Sequence, residues 1–538
     1  MHITALIALA VLAPQDAPPL FDGLGGVHRK VTTSSPDAQK YFDQGLAFLF
    51  AFNHDEAKKS FRYAAKLDPD CAMAWWGLAT ANGPHINNPM VDPANAREAW
   101  KALQQAVNAF AGEQPVEKDI VDAARARFSL DFEAERAPLD QAYAKAMENL
   151  AKKYPSDADI GIFHAESKMT LHPWDLHRAD HSPQPWTQAI IKEVERVLKL
   201  SPKHPLALHL YIHAVEASDR PELAKAAADT LLGLMPDAGH MEHMPSHIYV
   251  RTGEWKKAIE SNLLATTAEA KYMEKSPQQG FYVFYMMHNH QMLAFAAMMR
   301  GQSAVAIEGM DSALRNIPME VLEAFAPVLD GYLASIYEVR VRFGKWDELL
   351  TMPAPSEKFP VMRTVRHMAR AVAHSVKGDA KRARQEQWMF YEARKAVPEG
   401  TTVGNNQASD VLRVAELLMN GEILLGEGKA DASIASLRRA VTAEDQLRYN
   451  EPPDWLQPTR HALGAVLVKH ERYAEAERVY RDDLKKLPGN GWALYGMRQA
   501  LSGLDRERES AEFAAQFTAA WSDADTRILS SCLCVNMR

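Results

Sequence analysis

The chain has little cysteine for its length, with three residues in 538: Cys71, Cys532 and Cys534. So few cysteines exclude a disulfide framework and a zinc site built from thiolates. Only one residue separates Cys532 from Cys534, and a bridge over so short a span would be strained. We therefore expect two surface thiols near the end of the chain, with a strained bridge between them as the alternative.

Excess positive charge is also lacking. The formal net charge is −8, which argues against a nucleic-acid partner. With 47% hydrophobic and 24% charged residues, the composition is that of an ordinary globular protein.

Long apolar runs are absent apart from one at the start, Ile3 to Ala13. That run is too short to span a bilayer and is followed by small residues, as in a secretory signal peptide. We expect residues 1–17 to be removed on export to the periplasm. The alternative is a cytoplasmic protein, since no Lys or Arg precedes the run. Charge interrupts every later apolar run, so no transmembrane segment is expected.

A repeated pattern of small and large residues is present from Tyr41 onward, and Trp75 takes the place of Tyr41 in the next unit. The landmarks of the first unit are Gly45, Phe48, Ala57, Phe61, Ala64 and Pro69. The pattern resembles the tetratricopeptide repeat, in which small residues let two helices approach and proline stops the second helix. The register returns along the chain as about 11 or 12 degenerate units.

This resemblance implies an all-α fold: a right-handed superhelical solenoid of helix pairs, with enlarged loops between helices and a concave groove. Residues 18–37 would be a linker, 38–520 the solenoid and 521–538 a C-terminal tail. The segments HMPSHIYVRTGEW and YNEPPDWLQPTRHALGAVL are similar to recurrent segments of a poorly characterised group of exported bacterial tetratricopeptide proteins. The resemblance supplies no activity.

Histidines recur at fixed positions of two successive repeats. If Leu208 is position 4 of its repeat, positions 5, 9 and 12 share one helix face, which faces the groove in the tetratricopeptide family. These positions hold His209, His213 and Glu216, and the next repeat holds His243 and His247 at positions 5 and 9. Neighbouring helices pack about 8–10 Å apart, so these imidazoles can converge on one ion.

More candidates flank these repeats, and twelve of the 20 histidines lie between residues 164 and 290. The further metal candidates are His164, Glu166, His240 and His288. Glu242, His172, His177, His181 and His290 would line the surrounding groove. Pro245 predicts a helix start, which would leave His240 and His243 in the preceding turn, outside the regular register, and His290 is at a packing position.

Two segments elsewhere could reach the groove. His85 lies in an enlarged turn, and Trp455 lies in a rigid proline-containing insertion between repeats. In both cases the alternative is a segment that only packs over or shapes the solenoid.

The histidine pattern predicts an exported solenoid that binds a transition metal, copper or zinc, because imidazole is a ligand for both. Such a protein could be a metal-dependent enzyme or a metal carrier, and Glu216 or Glu242 could act as ligand, supporting partner or general base. The alternatives are a metal-free scaffold that clamps a peptide, a protein or a small ligand in the groove, and purely structural histidines.

Overall fold

The computed structural model describes residues 17–110, 114–277 and 280–535. The predicted signal peptide lies outside these residues except for Ala17. The prediction of an all-α fold is confirmed, because the described chain is a succession of helices joined mainly by short turns. One small exception is the antiparallel pair of β1 (Thr402–Val403) and β2 (Asn406–Gln407). No alternating pattern in the sequence predicts these two strands.

The chain divides into two compact units. The first runs to Pro173 and also includes Lys271–Gly280. Its helices are Pro36–Phe50 (α1), His54–Leu67 (α2), Ala72–Ala81 (α3), Pro93–Asn108 (α4), Pro115–Arg125 (α5), Arg136–Lys153 (α6) and Ala158–Thr170 (α7).

The second unit comprises Trp174–Ala270 and the chain from Phe281 onward. It begins with Thr187–Leu200 (α8), Pro205–Val215 (α9), a 3₁₀ turn at Pro221–Ala224, Lys225–Leu231 (α10), Gly239–His243 (α11), Pro245–Thr252 (α12) and Trp255–Lys275 (α13, whose last turn belongs to the first unit). It continues with Val283–Met299 (α14), Ser303–Asn316 (α15), Met319–Ala324 (α16), Ala326–Arg342 (α17), Trp346–Thr351 (α18), Pro360–Val376 (α19) and Ala380–Arg394 (α20). The last helices are Ala408–Gly426 (α21), Ala430–Asp445 (α22), Thr459–Lys469 (α23), Tyr473–Lys486 (α24), Gly491–Ser502 (α25) and Glu507–Ala520 (α26).

Small residues at the predicted repeat positions let the helices pack closely. The Phe61 ring lies against Gly45 and Gly77, and a Cβ atom at either glycine would overlap the ring. Tyr480 occupies the same place between Gly464 and Gly496 near the other end of the chain. In both places one aromatic ring lies between the glycines of two successive repeats, which identifies helix pairs of tetratricopeptide type.

The segment before α1 is packed rather than a free linker. Phe21, Leu24 and Val31 are buried, and the ring of Phe21 meets Phe48 edge-on with centroids 5.2 Å apart. Pro36 lies at the first turn of α1, where proline is tolerated because that amide has no helical partner.

The tail after α26 is also packed, and the prediction of two surface thiols is wrong. Cys532 and Cys534 are buried and form a disulfide, with Cα atoms 5.3 Å apart. Ser531 donates to the carbonyl of His461 at 2.7 Å and lies 2.6 Å from the Tyr480 hydroxyl. These contacts hold the tail against α23 and α24, which buries both cysteines. No helix in the described part of the chain is long and apolar enough to cross a membrane.

Candidate metal centre

Four short stretches of helix in the second unit bring six histidines together. Helix α9 carries His209 and His213, one turn apart, and Glu216 caps its C-terminal end. Helices α11 and α12 carry the next three histidines, and α14 carries the sixth. The complete set is His209, His213, His240, His243, His247 and His288.

Pro245 begins α12 as predicted, but the residues before it are not an irregular turn. They form the short helix α11, which carries His240 and His243. Because α11 runs directly into α12, His243 and His247 stay one turn apart across the junction.

Five of the six histidines are buried, and His288 is partly exposed. His209 and His243 are fully inaccessible, and His213 is only 6% exposed. The predicted arrangement, in which these side chains line an open concave groove, is therefore wrong: neighbouring helices cover the face that carries positions 5, 9 and 12.

The six histidines form two sets of three, and Glu216 forms a third group of the same spacing with one histidine of each set, His213 and His247. In one set, His209 and His213 of α9 join His240 of α11, and each residue offers one ring nitrogen within 4.8 Å of the others. In the other set, the pair His243 and His247 joins His288 of α14 within the same distance. Three convergent imidazole nitrogens are a common catalytic ligand set for zinc.

Glu216 joins the two sets by a pair of hydrogen bonds. One carboxylate oxygen accepts from Nδ1 of His213 at 2.8 Å, and the other accepts from Nδ1 of His247. Burial acts to raise the pKa of Glu216, but its attraction to His247 and His213 and these hydrogen bonds lower it below the ordinary value. An ionised carboxylate can only accept hydrogen bonds, so both histidines carry their proton on Nδ1.

Asn262 fixes the tautomer of His243 in the same way. Its amide nitrogen donates to the carbonyl of Ala258 at 2.8 Å, which turns its amide oxygen toward His243. That oxygen lies 2.7 Å from Nδ1 of His243, so Nδ1 is the protonated nitrogen. His213, His243 and His247 thus all present an unprotonated Nε2, the form in which imidazole binds metals.

Two of these Nε2 atoms face each other. Nε2 of His243 lies 2.8 Å from Nε2 of His247, although Nδ1 of each ring already carries the proton. Two lone pairs at this distance repel unless a cation lies beside them. Burial, reinforced by His288 and His247, lowers the pKa of His243 well below its usual value, which disfavours an additional proton on the His243 ring.

The other set shows related features. Nε2 of His240 lies 3.2 Å from Nε2 of His209. Nε2 of His213 is buried and has no hydrogen-bond partner among the described residues. A buried nitrogen in this state loses the hydrogen bond that water would give it, unless a ligand replaces that bond.

Several predicted residues lie elsewhere. His164, Glu166 and His85 belong to the first unit: Glu166 accepts from Thr170 at 3.0 Å and lies 3.9 Å from Arg127, and His85 stacks on His54 with ring centroids 4.2 Å apart. His172 also lies in the first unit, before Pro173. These residues form no ligand set within the described chain.

Other candidates in the second unit serve local structure. Glu242 accepts from the backbone amide of Gly233 at 3.0 Å, so its carboxylate secures a turn instead of joining the cluster. His181 contacts the carbonyl of Ala217 at 2.9 Å, and His177 forms an isolated backbone bridge with Pro183. His290 lies 3.3 Å from the hydroxyl of Ser312, consistent with its packing position.

The proline-containing insertion does contribute near the cluster, but through Glu451 rather than Trp455. Trp455 is 1% exposed and belongs to the core. The buried carboxyl of Glu451 interacts electrostatically with His247 and Glu216 and accepts from Tyr449 at 3.1 Å. Burial raises the pKa of Glu451 to about 7. The sequence carried no signal for Glu451 or Asn262, because their roles depend on contacts between distant segments.

Comparisons with known proteins add no functional assignment. No protein-family model and no curated protein matches the chain. Similar solved structures include the human IFIT1 dimer with m7Gppp-AAAA (13% identity, 92% of each chain covered, TM-score 0.33) and the APC/C hetero-tetramer Cut9–Hcn1 (11%, 91% of this chain and 74% of that chain, 0.30). Yeast Tom70 is 12% identical over 88% of this chain and 90% of its own, with a TM-score of 0.29. The likeness is too low to support an argument about function.

Proposed function

We propose that the protein binds a transition metal, zinc or copper, through the buried histidine cluster of its second unit. The observation that carries this proposal is the contact between Nε2 of His243 and Nε2 of His247, whose Nδ1 atoms are both occupied by hydrogen-bond acceptors. A metal ion would turn this repulsion into two coordinate bonds.

The surroundings support this reading, because partners of the distal ring nitrogens tune metal ligands. A histidine that binds a metal through one nitrogen usually donates the other N–H to a carboxylate or carbonyl, which orients the ring and raises its basicity. Glu216 does this for His213 and His247, and Asn262 does it for His243. Histidines that only filled the core would not need partners that leave Nε2 unprotonated on all three of these rings.

Zinc and copper both suit imidazole, and the geometry agrees with either ion. Zinc–nitrogen bonds of about 2.0–2.1 Å at tetrahedral angles place ligand nitrogens roughly 3.4 Å apart. The Nε2 separations of 2.8 and 3.2 Å need only a small adjustment of the rings to reach this value. Three imidazoles leave a coordination position open, which favours a catalytic role over storage.

A peptide-binding scaffold is the second candidate, and one surface favours it. A groove of about 810 Å³ lies between α23, α25 and α26, lined by Lys469, Glu471, Arg498 and Glu507 among others. This groove does not include the histidine cluster. The two functions therefore make separate predictions, and a scaffold role alone would leave the buried cluster unexplained.

The first prediction concerns metal content. Full-length protein purified without an affinity tag that binds metals should carry zinc or copper at one equivalent or more, measured by inductively coupled plasma mass spectrometry. His247→Ala removes one of the two facing nitrogens, so its metal affinity should fall by at least the roughly 10–100-fold typical of losing an outer-sphere partner. Circular dichroism should show unchanged helicity.

His470→Ala is the matched control, because His470 is exposed at the end of α23 and far along the chain from the cluster. It should keep its full metal content. Wild-type protein that carries no stoichiometric metal, and gains none when titrated with Zn²⁺ or Cu⁺, would show that the facing nitrogens share a proton instead and would overturn the proposal.

A further inference from the structure

The two histidine sets are related by the sequence repeat. The step along the chain from His209 to His243 is the same as the step from His213 to His247, and it matches the tetratricopeptide period of about 34 residues. Each pair therefore occupies positions 5 and 9 of its own repeat, when Leu208 and Glu242 are taken as position 4.

The third histidine of each set obeys the same rule. His240 is two residues before position 4 of the second repeat. With His290 at position 4 of the following repeat, His288 also lies two residues before it. Each set thus combines positions 5 and 9 of one repeat with position 2 of the next. The same arrangement of three histidines therefore occurs twice, because equivalent helices of successive repeats stack on one another.

The two sets are also neighbours in space. The rings of His213 and His247, one from each set, have centroids 5.6 Å apart. The rings of His240 and His243, again one from each set, have centroids 5.8 Å apart. Ions bound by the two sets would therefore lie close to each other, with the Glu216 carboxylate as their common outer partner.

We infer that the centre is dinuclear: His209, His213 and His240 hold one metal ion, and His243, His247 and His288 hold a second. This inference rests on the proposed metal-binding function and specifies its stoichiometry. Both oxygens of Glu216 already accept from Nδ1 atoms, so Glu216 positions ligands from both sets instead of binding an ion.

The ligand count indicates what else the centre would bind. Each ion would receive three neutral imidazoles, and zinc takes at least one further ligand in such sites. Pairs of ions a few ångströms apart hold a small oxygen-containing ligand, such as hydroxide or a substrate oxygen, between them. A water-derived or substrate oxygen is therefore the class of ligand expected to bridge the two sets.

The test is a metal titration of the chelator-treated, full-length protein. Wild type should bind two equivalents of Zn²⁺, or of Cu⁺ under anaerobic conditions, measured by competition with a chromophoric chelator. His209→Ala and His288→Ala each damage one set only, so each should retain one equivalent. Glu216→Gln should weaken both equivalents by about 10–100-fold, because one amide cannot accept from both Nδ1 atoms.

The outcomes separate the two proposals. Binding of one equivalent by wild type, or loss of all metal in both His209→Ala and His288→Ala, would overturn the dinuclear centre and leave the metal-binding function standing. Binding of no equivalents would overturn both. His470→Ala, which should keep two equivalents, controls for losses caused by substitution alone, and circular dichroism identifies any variant that fails to fold.

Discussion

At the scale of single residues, the second unit buries carboxyl groups that form no ion pair with the described residues. Glu338 on α17 is 3% exposed, and its carboxyl accepts from the backbone amide of Leu456 at 2.9 Å. Burial raises the pKa of Glu338 to about 8, despite the hydrogen bonds that lower it. Asp330 behaves similarly, with burial raising its pKa to about 7.

A raised carboxyl pKa makes stability depend on pH in a definite direction. Below pH 4.5, the ordinary pKa of a glutamate, Glu338 is protonated in both the folded and unfolded chain. Between pH 4.5 and about 8 only the folded chain holds the proton, so the free energy of unfolding falls as pH rises. Above this window the penalty for the buried charge is fully expressed.

Glu338→Gln should remove this penalty, because the amide keeps an acceptor oxygen for Leu456 but does not ionise. The variant should gain stability relative to wild type as pH rises from 4.5 to 8, by at most about 5 kcal/mol. Urea unfolding of both proteins at several pH values measures this. The exposed Glu320 supplies the control, since Glu320→Gln should parallel wild type across the range. Parallel curves for Glu338→Gln would contradict the assignment.

Sequence could predict part of the metal centre at this scale. Helical periodicity alone predicts that His209 and His213 lie one turn apart on one helix face. It predicts the same for His243 and His247. The partners that set the tautomers could not be predicted in full, because Asn262 reaches His243 from a different helix. We predicted Glu242 beside the groove for a related reason. Its carboxylate instead accepts a hydrogen bond from a local turn, and helical periodicity does not predict such a contact.

At the scale of helices, close packing depends on glycines that lie against aromatic rings. Tyr480 on α24 lies between Gly464 of α23 and Gly496 of α25, and its hydroxyl lies 2.6 Å from the hydroxyl of Ser531. The ring is held on both faces and at its tip. It therefore has little freedom to move aside for an added methyl group.

Gly464→Ala should therefore destabilise the protein by about 1–3 kcal/mol, the usual cost of overpacking a core, despite the better helix propensity of alanine. Gly309→Ala is the matched control within the same unit. Its Cβ would meet its nearest neighbours at 3.5 Å or more, an ordinary contact, so the substitution should be neutral or stabilising by up to about 1 kcal/mol. Urea unfolding compares the two, and equal effects would refute the packing argument.

The sequence predicted the positions of the helices better than it predicted which helix faces are buried. The repeat register located the packing glycines, and Pro245 predicted the start of a helix, because these follow from local sterics. It placed the histidine face toward an open groove, whereas the structure buries that face. Burial depends on α14, which follows an irregular stretch, and no repeat period indicates where such a helix will pack.

At the scale of the whole molecule, two observations bear on where the protein works. Cys532 and Cys534 form a buried disulfide, and disulfides persist in oxidising compartments. The segment from Pro18 is packed against α1, since Tyr41 donates to the carbonyl of Pro18 at 3.0 Å.

The disulfide, with the apolar run Ile3 to Ala13, leads us to expect that the protein is exported. Mature protein from its native host should lack about the first 15–20 residues, the length of a secretory signal peptide, and should have a single alkylatable cysteine, Cys71, after denaturation. Intact mass spectrometry with and without reduction measures both properties at once. Cys71 serves as the internal control for alkylation, because it is a free thiol in either compartment. Recovery of intact Met1 together with three alkylatable thiols would place the protein in the cytoplasm, where the metal supply, and hence the ion bound by the histidine cluster, would differ.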